Sequence, residues 1–87
     1  MQKLRNTATL GNNLRTIRKQ CRLTQDQVVA QLNLLNIDIA RSYYSRYETG
    51  KLNIPAETIV ALRYVFHCSY AELFQNIRPD IQQKINK

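Results

Sequence analysis

The sequence predicts an all-α fold, built as one domain of five short helices. Apolar residues recur at spacings of three and four, as one face of a helix requires, and never alternate with polar residues over the length of a strand. Two segments, beginning at Thr24 and Ser69, match the Ser/Thr-x-x-Glu/Gln capping box that opens a helix. The length of 87 residues, 44% of them apolar, supports one compact core.

The first two helices are predicted from their apolar stripes. Helix 1 is expected over residues 9–20, and helix 2 is expected to begin at the Thr24 capping box. Asn36 is expected to end helix 2 in the left-handed conformation, which Asn tolerates better than most residues. The predicted buried faces are Leu10, Leu14, Ile17 and Cys21 in helix 1, and Val28, Leu32 and Leu35 in helix 2.

Helix 3 is predicted to begin at Ile39 or Ala40 and to end at Glu48. Asp38 is expected to cap its start, and Gly50 is expected to follow its end because glycine adopts positive φ without strain. The two faces of this helix differ in chemistry. Ala40, Tyr44 and Tyr47 cluster on one side, and Arg41, Ser42, Ser45 and Arg46 fall within an arc of about 140° on the other.

Helices 4 and 5 complete the predicted bundle. Pro55 suits the first turn of helix 4, and the Ser69 capping box opens helix 5. The residues expected to face the core are Ile59, Leu62, Val65 and Phe66 in helix 4, and Leu73 and Phe74 in helix 5.

The domain is expected over residues 9–76, with an N-terminal arm at 1–8 and a C-terminal tail or short helix at 77–87. Ile77, Ile81 and Ile85 recur every four residues in the tail. They are consistent with a small helix that packs back on the bundle and equally with a dimer interface.

The charge of the chain points to a polyanionic partner. Thirteen Lys and Arg against six Asp and Glu leave a net charge of +7, which favours nucleic acid or an acidic membrane surface. No apolar run reaches the roughly 18 residues that a membrane span needs, and residues 1–7 lack the apolar block of a secretory signal. The expected location is therefore the cytoplasm.

The sequence offers no candidate for catalysis or for a metal site. Cys21 and Cys68 are not in a Cys-x-x-Cys pair, and the single histidine, His67, adjoins Cys68, so no tetrahedral ligand set is present. The two thiols are predicted to be buried as small apolar groups. With only two glycines, a phosphate-cradling loop is nearly excluded. We therefore expect neither an enzyme nor a bound cofactor.

The segment from Thr24 to Gly50 contains an ordered series of residues. As a signature of a protein family, the complete series is more specific than any one of its residues. It reads TQ-x-x-V, then, after a gap, I-x-RS-x-YSRYE-x-G. This series resembles the phage-repressor, Cro-like helix-turn-helix family, also called the xenobiotic response element family. The resemblance extends upstream to Leu10 and downstream to Phe74, and so covers most of the chain.

The resemblance implies a five-helix bundle of the phage-repressor DNA-binding type, with the helix at 40–48 lying in the major groove. The family pattern then assigns roles to individual residues. Base contacts would come from Arg41, Ser42, Tyr43, Ser45 and Arg46. Phosphate contacts would come from Gln25, Lys51 and Asn53, and a structural ion pair would join Arg18 to Glu48.

The chain departs from the family pattern in two places. Where the family has a tight glycine turn of about four residues, this sequence has residues 33–38, with 34–38 as an insertion by one alignment, so the connection is longer. Val29 stands where the family favours Ala. Both departures predict a different crossing angle between the two motif helices.

The predicted function is that of a sequence-specific regulator, most simply a repressor, that binds double-stranded DNA. It would act as a homodimer on an inverted repeat. One alternative is an antitoxin-type autoregulator that also binds a partner protein, and another is a protein-interaction module that has lost DNA binding.

Overall fold

The structure, a computed structural model, describes residues 3–4 and 7–77. Five helices account for most of this part of the chain, which confirms the predicted all-α class. They are α1 (Ala8–Gln20), α2 (Gln25–Leu34), α3 (Arg41–Glu48), α4 (Ala56–Phe66) and α5 (Tyr70–Leu73). Among the described residues, no helix is both long and apolar enough to cross a bilayer.

A two-residue antiparallel ladder, which the sequence did not predict, joins the N-terminal arm to the loop after α3. Strand β1 (Lys3–Leu4) pairs with β2 (Ile54–Pro55), and Leu4 is in register with Ile54. Pro55 therefore precedes α4 as its N-cap instead of lying in its first turn. The arm is in part tied to the bundle by backbone pairing.

The core lies between α1, α2, α3 and α4, and α5 covers one end against α1. The predicted apolar stripes are buried at nearly every position. The buried apolar residues are Leu10, Leu14, Ile17, Val28, Leu32, Tyr44, Tyr47, Ile54, Ile59, Ala61, Leu62, Val65, Phe66 and Leu73. Cys21 and Cys68 are half-buried against this core.

The predicted burial of Leu35 was wrong, because its side chain is 45% exposed. Helix α2 ends at Leu34, so the helical period no longer sets the direction of the next side chain. Asn36 then takes the predicted left-handed conformation, with φ of 65°. Its backbone N–H donates to Asn33 O, and Ile37 N–H donates to Leu32 O, which is the Schellman pattern of helix ends.

The predicted start of helix 3 was also wrong in detail. Ala40 is the exposed N-cap residue and has no side-chain hydrogen bond, while Asp38 lies two residues earlier and is exposed. The connection at 35–40 is instead held by Ile37 and Ile39, which pack against the core. The Asn33 amide donates to their carbonyl oxygens at 2.8 and 3.3 Å. Because these contacts keep the connection extended, α3 begins only at Arg41.

The capping boxes at Thr24 and Ser69 are both formed. The Thr24 hydroxyl accepts from the Gln27 N–H at 3.1 Å, and the Gln27 side chain accepts from the Thr24 N–H at 2.8 Å. His67 ends α4 in the left-handed conformation. Of the tail isoleucines, Ile77 is exposed, while Ile81 and Ile85 lie outside the described residues.

Candidate functional site

Helix α3 presents a polar, cationic face to solvent and a tyrosine face to the core. Tyr44 is fully buried and Tyr47 nearly so, and their rings meet edge to face at 6.1 Å. Arg41, Ser42, Tyr43 and Arg46 are exposed, and Ser45 is half-buried. Since the tyrosines anchor the helix, its orientation is set by packing and the opposite face stays free to meet a ligand.

The C-terminal end of α3 is tied to α1 by the Arg18–Glu48 ion pair that the resemblance implied. Arg18 Nε lies 2.6 Å from Glu48 Oε2, and Nη2 lies 3.1 Å from Oε1. The third guanidinium nitrogen, Nη1, donates to Leu23 O at 2.9 Å. The Glu48 side chain is only 3% exposed and that of Arg18 11%. The two-point geometry therefore fixes both the position and the rotation of this helix end.

The surroundings of Glu48 keep it ionised. Burial disfavours its charged form, but hydrogen bonding to Arg18 and Gln25 and the charge of Arg18 outweigh burial, and the pKa of Glu48 is lowered. Hydrogen bonding to Glu48 correspondingly raises the pKa of Arg18 against the opposing effect of burial. Burial, followed by the charge of Glu48, raises the pKa of Tyr44. The carboxylate and the guanidinium are thus held as an ion pair across the neutral pH range.

Gly11 allows α1 to approach this end of α3 at backbone distance. A Cβ atom built on Gly11 would lie 2.5 Å from Glu48 O and 2.6 Å from Tyr47 O. Both neighbours are backbone atoms, which cannot move without displacing α3. The close approach brings Arg18 and Glu48 into reach of each other, a role of Gly11 that becomes visible only in the folded protein.

The loop after α3 leaves the helix through a left-handed glycine. Gly50 has φ of 75°, and Lys51 N–H donates to Arg46 O at 2.9 Å. Lys51 and Asn53 are both exposed in this loop. They therefore lie on the chain segment that directly follows the exposed face of α3.

Gln25, at the N-terminus of α2, is more constrained than its sequence position indicated. Its side chain is half-buried, and Nε2 donates to Glu48 Oε1 at 3.1 Å. One of its two amide hydrogens is therefore engaged with the ion pair, which leaves the second hydrogen and the backbone N–H groups of the helix start.

Asp26 introduces a negative charge beside the cationic face. Its Oδ1 lies 3.5 Å from Arg41 Nε, and both side chains are largely exposed. Such an exposed pair contributes little to stability, but it restrains Arg41. The sequence alone does not reveal this contact, since contacts between α2 and α3 depend on how the helices cross.

The comparisons with known proteins agree with this architecture. A family model described as a helix-turn-helix domain matches residues 9–72, which is 64 of the 87 residues. The matched range begins one residue into α1 and ends within α5, so it includes α2, α3 and α4 in full. No curated protein and no solved structure gives a significant match.

Within the described residues no group of His, Cys, Asp and Glu could hold a metal ion.

Proposed function

The chain belongs to the helix-turn-helix domain family, and we propose that it is a transcriptional regulator that binds double-stranded DNA sequence-specifically through α3. The observation that carries this proposal is the exposed cationic face of α3, opposite two buried tyrosines. The net charge of +7 supports a phosphate-rich partner.

The proposed base contacts lie along the exposed side of α3. A helix with side chains is about 10–12 Å wide and enters a major groove about 12 Å wide. Arg41 and Arg46 would each donate two hydrogen bonds to guanine O6 and N7, the pairing that arginine geometry favours. Ser42 and Ser45 would add single hydrogen bonds, and Tyr43 would contact a thymine methyl group or a phosphate.

The proposed phosphate contacts flank this face. Gln25 would use its second amide hydrogen and the N–H groups at the start of α2, where the helix dipole favours an anion. Lys51 and Asn53 would contact a second phosphate from the loop after α3. Such contacts set the position of the protein on the duplex without reading sequence.

We further propose that two copies bind an inverted repeat. Helix α3 has eight residues, which span about 12 Å and so cover about four base pairs, too few for a selective site. A second copy related by a two-fold axis would double the site, with half-sites about 34 Å apart. Residues 9–76 would form the DNA-binding unit, residues 1–8 its arm and residues 77–87 its tail. Occlusion of a promoter by this dimer would make it a repressor.

Selection of bound duplexes from a random pool tests the proposal. The expected product is an inverted repeat containing guanines, bound with an affinity that falls steeply with salt. Arg46→Ala should weaken binding of that duplex by about tenfold or more, without a measurable change in melting temperature. The matched control is Arg15→Ala, an exposed arginine on α1. Enrichment without a consensus, or equal losses for both variants, would contradict sequence-specific readout by α3.

A second candidate function, an autoregulator that also binds a partner protein, is supported by exposed apolar side chains. Leu34 is 83% exposed, and Tyr64 is 62% exposed. Together with Leu35 and His67, these residues line one apolar surface depression between the end of α2 and α4. Co-purification of a partner that is lost in Leu34→Glu would support this function. DNA affinity that is weak and insensitive to salt would instead favour an interaction module without DNA binding.

A further inference from the structure

A second surface feature, on the side of α3 formed by Tyr43 and Tyr47, is a cavity of about 360 Å³. Its walls come from three elements that converge there: the long connection before α3, α3 itself and the first turn of α4. The lining includes residues 36–39, Tyr43, Tyr47, Pro55, Glu57 and Thr58. The volume lies within the range of small-molecule sites, about 300–1,000 Å³.

Among the described residues that line this cavity, the charged ones are acidic, whereas the protein as a whole is basic. Asp38 and Glu57 are two of the six carboxylates in the chain, and none of the described lining residues is Lys or Arg. Within the described residues, neither carboxylate forms a salt bridge or a side-chain hydrogen bond. The start of α4 contributes about half a positive charge, which is smaller than the two carboxylate charges combined.

The cavity also offers aromatic surface. The rings of Tyr43 and Tyr47 meet edge to face, with centroids 5.7 Å apart. Ile37 and Ile39 add apolar atoms from the connection. Carboxylates beside tyrosine rings attract cations through both charge and the negative ring faces, and the apolar wall favours an organic body over a hydrated metal ion.

We propose that this cavity binds a small organic cation, an amine with an aromatic or apolar body. The ammonium group would lie between the Asp38 and Glu57 carboxylates, and the body would pack on Tyr43 and Ile37. Binding would hold Tyr43 against the ligand. Because Tyr43 is also a proposed DNA contact, occupancy would weaken operator binding, and this regulatory part rests on the proposed function.

Three soluble compounds of nearly equal shape test the site: benzylamine, benzyl alcohol and benzoate, which are positive, neutral and negative at pH 7. They would be titrated into the ¹⁵N-labelled full chain, with backbone amide shifts recorded by NMR. Benzylamine should shift the amides of residues 37–39, Tyr43 and Glu57, with a Kd about tenfold below that of benzyl alcohol. Benzoate should bind more weakly than either.

The double variant Asp38→Asn/Glu57→Gln should abolish the preference for benzylamine, whereas Asp26→Asn, which removes an exposed carboxylate elsewhere, should retain it. Both cavity carboxylates are exposed, so folding, checked by circular dichroism, should be unaffected. Equal Kd values for benzylamine and benzyl alcohol, tighter benzoate binding, or shifts confined to other residues would overturn the site.

The regulatory part is tested on the selected duplex by fluorescence anisotropy. Saturating benzylamine should weaken wild-type binding about threefold or more and leave the double variant unchanged. A wild-type affinity that does not respond would overturn the regulation. Loss of all DNA binding with intact benzylamine binding would instead refute the proposed function and support the site.

Discussion

Replacing Arg18 by alanine removes the guanidinium that pairs with the buried carboxylate of Glu48. The variant loses both bonds to Glu48 and the bond to Leu23 O. Among the described residues, Glu48 keeps only the Gln25 amide as a side-chain hydrogen-bond donor, and its own side chain is 3% exposed. The carboxylate must then either remain charged without its cation or take up a proton.

The expected loss of stability is large. Removing one partner of a buried ion pair costs about 3–5 kcal/mol, against a total of about 5–15 kcal/mol for a typical domain. A domain of this size loses about 4–8 °C in Tm for each kcal/mol. Arg18→Ala should therefore lower the Tm by about 12 °C or more, as measured by circular dichroism at 222 nm.

Two comparisons separate the stability lost with the ion pair from the stability lost by removing a long side chain. Arg15→Ala, on the exposed side of the same helix, should shift the Tm by no more than about 2 °C. The double variant Arg18→Met/Glu48→Leu should be more stable than Arg18→Ala, because it leaves no unpaired charge. If Arg18→Ala behaves like Arg15→Ala, or if the double variant is the least stable of the three, the assigned role of the pair is refuted.

Three further outcomes follow from the geometry. Gly11→Ala should lower both the Tm and the DNA affinity, because the added methyl group displaces the end of α3. Such overpacking costs about 1–3 kcal/mol of folding stability. The control is Asn12→Ala, which changes an exposed residue on the same helix. The pKa of Glu48 is lower in the folded protein than the usual glutamate value of about 4.3. The ionised carboxylate therefore contributes stability that is fully present at pH values above about 4.3 and is lost as the pH falls through the lowered pKa. Urea unfolding between pH 3 and 7 should therefore show a steeper acid loss for wild type than for Glu48→Gln. Asp26→Asn should strengthen DNA binding severalfold at low salt, since it removes a negative charge 3.5 Å from Arg41. If fluorescence anisotropy shows the same DNA affinity for this variant and wild type, Arg41 does not contact the duplex.

The sequence was most informative where structure depends on neighbours along the chain. The hydroxyl of Thr24 reaches the N–H of Gln27 within a single turn, so the helix start could be predicted from four residues. Asn36 and Gly50 adopt positive φ through their own backbone preferences. The two faces of α3 follow from helical geometry alone, which is why the exposure of Arg41 and Arg46 was predicted correctly.

Other features depended on where the helices cross, and local patterns do not contain that information. Leu35 continues an apolar stripe, yet it is exposed because α2 has already ended. Asp38 is a good capping residue by type, yet Ile37 and Ile39 find space against the core and keep the chain extended past it. The energy gained by packing these two side chains outweighs a preference worth about 1 kcal/mol.

By itself, then, the sequence determined the five helices, the chemistry of each face of α3 and the helix-turn-helix resemblance. Only the tertiary structure decided that Gly11 brings two backbones into contact, that Gln25 joins the Glu48 network and that Asp38 and Glu57 share one cavity with Tyr43. Apart from Asp38 and Tyr43, the residues that meet in each case are far apart along the chain, and side chains of their type are common on any surface. Their significance arises from proximity, which depends on the packing of all the helices together.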